Sequence, residues 1–273
     1  MARPAAIEVS RLKWSSGALS AGCRTIPDEV PVALSYDGTA YAVMMATPAD
    51  LADFALGFSL SEGVVDHASE IESLDIIEVE GGIEARMWLK PAASTRNRGR
   101  RRAIVGPTGC GLCGVDSIAQ ALKPLPDVEK SALRVPGEAL ALAMTELQKR
   151  QALNAQTRAV HAAGLWLGKD DLLVREDVGR HNALDKIIGA AAALALSAED
   201  GVVLLTSRVS VELIQKTARL GAPIIAAVSA PTALAVRMAE ETGITLAAVL
   251  RGEEFEIFTR PDRITGRRER HEA

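Results

Sequence analysis

The last third of the chain most narrows what it can fold into. Residues 202–206, 224–228 and 244–250 are compact runs of aliphatic and β-branched residues, short enough for strands and bounded by turn residues. Helical periodicity at about 210–220 and 232–242 separates them, and Gly221 and Gly243 stand where a helix ends in a left-handed residue. Strand, helix, strand, helix, strand is a βαβαβ unit, which implies a parallel sheet with right-handed crossovers. The 48% apolar and only 3% aromatic composition suits such a sheet, whose core is built from Ala, Val, Ile and Leu. Each strand hands over to polar residues at its carboxyl end: Ser207-Arg208, Ser229 and Arg251-Gly252. Ligands of open α/β sheets bind at that edge, so these residues are candidates to line one crevice. A short hairpin follows at 251–258.

The first third is read as a smaller α+β part after an irregular or extended lead-in over 1–30. Strands at 30–34 and 40–45 join through Asp37-Gly38, and strands near 74–79 and 83–89 flank Gly81-Gly82; both are hairpin signals. Between them Thr47-Pro48 opens a helix, with Thr47 as N-cap and Pro48 at the first helical position. Leu51, Phe54, Ala55 and Phe58 form its buried stripe and Gly63 its stop. A second helix starts at Pro136-Gly137 and runs to about Leu153, and strands at 162–167 and 172–175 bracket the turn at 168–171.

Two motifs carry chemistry. GPTGCGLCGVD at 106–116 places Cys110 and Cys113 in a C-x-x-C split by glycines, on a loop feeding the helical pattern of 115–122. A helix N-terminus favours the thiolate form, and the glycines leave room for a reactant. The second motif, REDVGRHNALDK at 175–186, gathers Arg175, Asp177, Arg180, His181, Asn182, Asp185 and Lys186 at a strand-to-helix junction with Gly179 in the turn. His181 and Asp185 are spaced i, i+4, so the carboxylate can orient the imidazole. Ahead of the cysteines, STRNRGRRR at 94–102 is nearly devoid of apolar residues. It reads either as a solvated mobile loop or as a basic lip for an anionic ligand or acidic partner.

Several function classes are disfavoured. A structural zinc needs four ligands, and Cys23, His67, His161, His181 and His271 offer no second close pair. Deaminase zinc sites use H-x-E with P-C-x-x-C, whereas Gly109 precedes Cys110 here and no H-x-E occurs. An iron–sulfur site needs more cysteines. The net charge of −4 argues against wholesale nucleic-acid binding, and no apolar run is long enough to span a bilayer. Three cysteines in a long chain fit a reducing, cytoplasmic setting. A thioredoxin-like dithiol fits the spacing, although its mid-chain place after a basic run is a different local design. There remains nucleophilic sulfur chemistry, in which one thiolate takes a sulfane sulfur and the other resolves or relays it.

TGCGLCG at 108–114, REDVGRHNALDK at 175–186, Ser207-Arg208 and Ser229-Ala-Pro231 together resemble the FdhD family of formate dehydrogenase accessory sulfurtransferases, over about Val30 to Arg263. The resemblance implies a cytidine deaminase-like α/β fold and a homodimer. It implies a sulfurtransferase that accepts a persulfide from a cysteine desulfurase. Sulfur then passes to the molybdenum cofactor in its bis-molybdopterin guanine dinucleotide form, a bound substrate awaiting insertion into the formate dehydrogenase catalytic subunit; no intrinsic metal is implied. By position, Cys110 matches the persulfide cysteine and Cys113 its partner. Val249, Leu250, Arg251, Gly252, Glu253 and Glu254 match the cofactor-binding stretch. The layout is then lead-in 1–30, α+β subdomain 31–93, basic loop 94–109, α/β sulfurtransferase core 110–264 and polar tail 265–273. Such a cofactor carries pyrophosphates and guanines, so Arg175, Arg180, Arg208 and Arg251 are candidates for the phosphates. Asp177, Asn182 and Asp185 are candidates for the guanine edges. TRAVH at 157–161 departs from the family's Thr-Gly-Gly turn, which leaves the role of His161 open. The rival reading is a chaperone that holds the cofactor or the apoenzyme without sulfur chemistry.

Overall fold

A computed structural model describes residues 3–101 and 125–266, the side chains of 99–101 excepted. The described chain is mixed α/β and divides into two compact units interleaved in sequence. The first contains 3–101, Gln151–Ala162 and Arg175–Leu194; the second contains 125–150, Ala163–Val174 and 195–266. Part of the segment expected as one core over 110–264 therefore belongs with the N-terminal residues.

In the first unit β1 (Ala6–Ser15) and β2 (Ala18–Pro27) form an antiparallel hairpin, so the lead-in read as irregular or extended is extended and paired. The strand signal is the alternation of IEVSRLKW, and Ser16 and Gly17 turn the chain with φ of 50° and 84°. Almost none of the hairpin is buried, so burial leaves no trace in its composition.

β3 (Val30–Tyr36), β4 (Thr39–Ala46), β5 (Ile71–Val79) and β6 (Gly82–Leu89) make a sheet in the order β4-β3-β6-β5, with β3 parallel to β6. The helix α1 (Leu51–Ser61) buries Leu51, Phe54, Ala55 and Phe58, as its spacing predicts. These share a core with Val32, Leu34, Tyr36, Ile83 and Met87. Edge-to-face contacts at 5.3 Å (Tyr36–Tyr41), 6.1 Å (Tyr41–Phe58) and 6.2 Å (Phe54–Phe58) thread it. Thr47 is not the N-cap of α1: Asp50 occupies that position, and the Thr47 hydroxyl is bonded elsewhere.

The basic run is helical where it is described, not a mobile loop: α2 spans Pro91–Arg101. Tertiary bonds supply what its apolar-poor sequence lacks. Arg96 Nη2 donates to both Glu70 oxygens at 2.7 Å, and Ser94 Oγ donates to Asp37 Oδ2 at 2.7 Å.

The second unit holds β7 (Val135–Pro136), α3 (Gly137–Lys149), the turn between β8 (His161–Trp166) and β9 (Leu172–Asp177), and the regular C-terminal part. The helix predicted to reach Leu153 stops at Lys149, and a separate α4 (Ala152–Thr157) lies in the first unit. Glu176 explains the restart, because its two oxygens accept the Leu153 and Asn154 N–H groups at 2.8 Å.

The βαβαβ reading is realised. Parallel strands β10 (Val202–Leu205), β11 (Ile224–Ala227) and β12 (Thr245–Arg251) are connected by α6 (Val211–Leu220) and α7 (Ala233–Glu241). Gly221 and Gly243 end those helices at φ of 85° and 69°. Every residue of β10 and β11 is buried, as expected of a parallel sheet covered on both faces. β13 (Glu254–Thr259) folds back antiparallel on β12, giving the order β13-β12-β11-β10-β8-β9, and β14 (Ile264–Thr265) pairs with β7.

One helix crossing carries the second motif into the first unit. α5 (Arg180–Ala193) lies against α1 so closely that a Cβ on Gly57 would overlap the Asp185 carbonyl, and one on Gly189 would overlap that of Asp53. Two glycines at the crossing let the backbones touch.

Candidate functional site

The residues singled out in the sequence fall into three groups. Cys110 and Cys113 lie outside the described residues. The other two groups belong one to each unit.

In the first unit, Asp177 at the end of β9 is fully buried and both its oxygens are used. Oδ1 accepts the Gly179 N–H at 2.8 Å and Asn182 Nδ2 at 2.9 Å. Oδ2 accepts the Thr47 N–H at 3.0 Å and pairs with Lys186 Nζ at 2.7 Å. Lys186, equally buried, also donates to the carbonyls of Thr47 at 3.2 Å and Glu176 at 3.1 Å, so its three protons have three acceptors. Asn182 Nδ2 also reaches the Met45 carbonyl at 2.8 Å, and Thr47 Oγ1 accepts the Val178 N–H at 3.1 Å. A buried ion pair holds when its remaining hydrogen-bonding capacity is met, as here.

Other residues of the motif are drawn into the same scaffold. Asp185 accepts Ser61 Oγ at 2.6 Å, and Arg175 places Nε and Nη2 each 2.8 Å from Asp53 Oδ2. Asp177, Asn182 and Asp185 are at most 3% exposed, so they offer no surface for a guanine edge in this conformation. Gly179 is needed for space and not for its dihedral: φ is −98°, and a Cβ would lie 2.9 Å from Asn182 Nδ2.

The half-buried side chains of Arg180, His181 and His161 remain beside this latch. Arg180 Nε is buried and has no hydrogen-bond partner among the described residues. Burial and the Arg180 charge hold the His161 imidazole below its usual range, with Asp177 acting in the opposite direction. His161 thus stands near the motif despite the departure in its preceding turn.

In the second unit the carboxyl edge of the parallel sheet assembles as the strand ends suggested. The Val209 N–H meets the Ala230 carbonyl at 3.4 Å, Thr232 N–H meets Val209 at 2.9 Å, and Val249 N–H meets Ser229 at 3.5 Å. The segments bearing Ser207-Arg208, Ser229 and Val249 are therefore neighbours. Ser207 is buried and donates to the Arg208 carbonyl at 3.1 Å, while Arg208 and Arg251 project their charges into solvent. Leu250 is buried, and Gly252, Glu253 and Glu254 form the exposed turn into β13. Val249 sits at φ of 57° in a bulge of β12, a left-handed conformation that costs a β-branched residue roughly 1–3 kcal/mol. Two exposed guanidiniums beside a strained strand end can bind an anion.

Thr47, Ser61 and Glu176 are the participants the sequence did not single out. Glu176 stood inside the polar run. Thr47 gave only the signal of a helix start, and Ser61 gave none.

The FdhD/NarQ family model matches residues 27–265. The sulfur carrier protein FdhD of Agrobacterium fabrum is 51% identical over 257 residues, covering 94% of this chain and 95% of its own. The sulfur carrier protein FdhD of Cupriavidus necator is 47% identical over 263 residues, covering 96% and 89% respectively. Among solved structures, a putative formate dehydrogenase accessory protein from Desulfotalea psychrophila superimposes with a TM-score of 0.74 at 26% identity. That match covers 96% of this chain and all of the other.

Proposed function

The chain belongs to the FdhD/NarQ family, and on that premise we propose that it is a sulfur carrier in formate dehydrogenase maturation. The observation that carries this reading is the near full-length, half-identical match to proteins named sulfur carriers, in a chain whose sequence contains the Cys110-Gly-Leu-Cys113 dithiol. The Cys110 thiolate attacks the sulfane sulfur of a cysteine desulfurase persulfide. That S–S bond breaks, the desulfurase cysteine leaves as thiolate, and Cys110 carries the new persulfide. Cys113 relays the terminal sulfur by the same exchange.

The acceptor is the bis-molybdopterin guanine dinucleotide molybdenum cofactor, bound as substrate before its insertion into the formate dehydrogenase catalytic subunit. Arg208 and Arg251 at the sheet edge are the cations offered to its phosphates. Asp177 and Lys186 hold the turn that presents Arg180 and His181. The chemistry takes place in the cytoplasm, on the deaminase-like scaffold implied by the resemblance. Among the described residues no helix is long and apolar enough to cross a membrane.

Complementation separates this reading from a cofactor-holding chaperone. In cells lacking the protein, a Cys110→Ala/Cys113→Ala chain at normal abundance is expected to leave formate dehydrogenase inactive. Full activity with that chain would favour the chaperone.

A further inference from the structure

The four-stranded sheet of the first unit leaves one edge open. β5 is the outer strand of that sheet. Val79 and Gly82 close a two-residue turn, so Asp75 and Ile77 bond to β6 while Leu74, Ile76 and Glu78 direct their backbone groups outward. Among the described residues those three make no backbone bond beyond the sheet. Such a row of open donors and acceptors is a template for a further strand.

The side chains along this edge are left half-covered as well. Under α1 the core buries Phe54 and Phe58 with Leu34 of β3 and Met87 of β6. On β5, Ile71 and Leu74 are only partly buried and Ile76 is 40% exposed. A cavity of about 280 Å³ adjoins them, its apolar lining supplied by Leu56, Ile71, Leu74 and three alanines. Leu74, Ile76 and Glu78 pair with Met87, Ala85 and Ile83, all buried, and so stand on the core face of the sheet. Glu72, at the register shift between Ile71 and Ser73, lines the cavity too. The edge therefore reads acid, aliphatic, aliphatic, acid from Glu72 to Glu78, over roughly 20 Å of strand. Both glutamates are exposed, and neither has an ion-pair partner among the described residues.

We propose that β5 is a docking edge for an extended basic segment of a partner protein, which adds to the sheet as a fifth strand. The inward side chains of that segment run basic, aliphatic, aliphatic, basic. The two aliphatic ones close over Leu74 and Ile76 beside Leu56, and the two cations meet Glu72 and Glu78. Backbone bonds supply sequence-independent affinity, while the cavity and the paired carboxylates select the segment. The same carboxylates reject a strand with acids in those places. None of these residues takes part in the sulfur or cofactor chemistry proposed above.

The probe is the capped peptide Lys-Thr-Leu-Thr-Ile-Thr-Lys, titrated into the full-length chain by calorimetry and followed by hydrogen exchange. Binding should saturate and protect the Leu74, Ile76 and Glu78 amides. Glu72→Lys/Glu78→Lys should weaken it by roughly tenfold or more, as should replacing the peptide lysines with glutamates. Only every second N–H of an added strand faces its neighbour. Methylating one alternate set of peptide nitrogens should therefore abolish binding, and methylating the other set should not. That arm needs no protein variant. Three results would each overturn the proposal: no saturable binding, binding indifferent to the charge reversals or to the methylated set, or edge amides already covered by a second copy in the peptide-free chain.

Discussion

Lys186 and Asp177 are both fully removed from solvent, and each depends on the other for its charge to be tolerated. Removing one partner leaves an uncompensated buried ion, at a cost of about 3–5 kcal/mol. Lys186→Met is therefore predicted to lower the urea midpoint strongly at unchanged slope, and adding Asp177→Asn should recover part of the loss. His161 gives a pH signature. Its folded-state pKa is depressed, so on acidification the unfolded chain takes up the proton first. The stabilising contribution is complete above the ordinary imidazole value of about 6.5 and is lost as pH falls through the lower folded value. Thermal melts of His161→Gln should show a flatter dependence across that window. The residue types of the 175–186 motif were visible in the sequence, but their direction was not. Spacing brings His181 and Asp185 onto one helix face, yet nothing in it tells that Asp177 looks inward to Thr47 and Lys186.

At the scale of elements, the most legible parts carry local signals for both ends and middle. α6 and α7 close on glycines with positive φ, and β10 and β11 are apolar and buried throughout. The illegible parts draw stability from elsewhere in the chain. α2 is a basic helix held by Glu70 and Asp37, which no periodicity announces, and the β1–β2 hairpin buries almost nothing. The α1–α5 crossing is the most sensitive joint. Gly57→Ala must push a methyl group into the Asp185 carbonyl, so the loss of stability should reach or exceed the usual overpacking cost of about 1–3 kcal/mol. Gly81→Ala, at a turn with φ of 80° and open space around it, should show the smaller strain of a left-handed alanine. Chemical denaturation of the two variants distinguishes a steric joint from a turn.

For the whole molecule, the interleaving of the two units along the chain explains why segment boundaries drawn by sequence order cut across the packing. The strand ends bearing Ser207, Arg208, Ser229 and Arg251 were legible because strand ends in a βαβαβ unit have a known side. If Arg208 and Arg251 receive phosphates, Arg208→Ala and Arg251→Ala should each weaken guanosine diphosphate binding by about tenfold in titration calorimetry while the melting temperature stays put. Sulfur carriage by the dithiol is tested by the intact mass of the chain after incubation with a cysteine desulfurase and cysteine. The wild-type chain should gain sulfur that a reductant removes, and Cys110→Ala should not. A Cys110→Ala/Cys113→Ala chain that gains as much sulfur as the wild type would mean that the dithiol does not carry it.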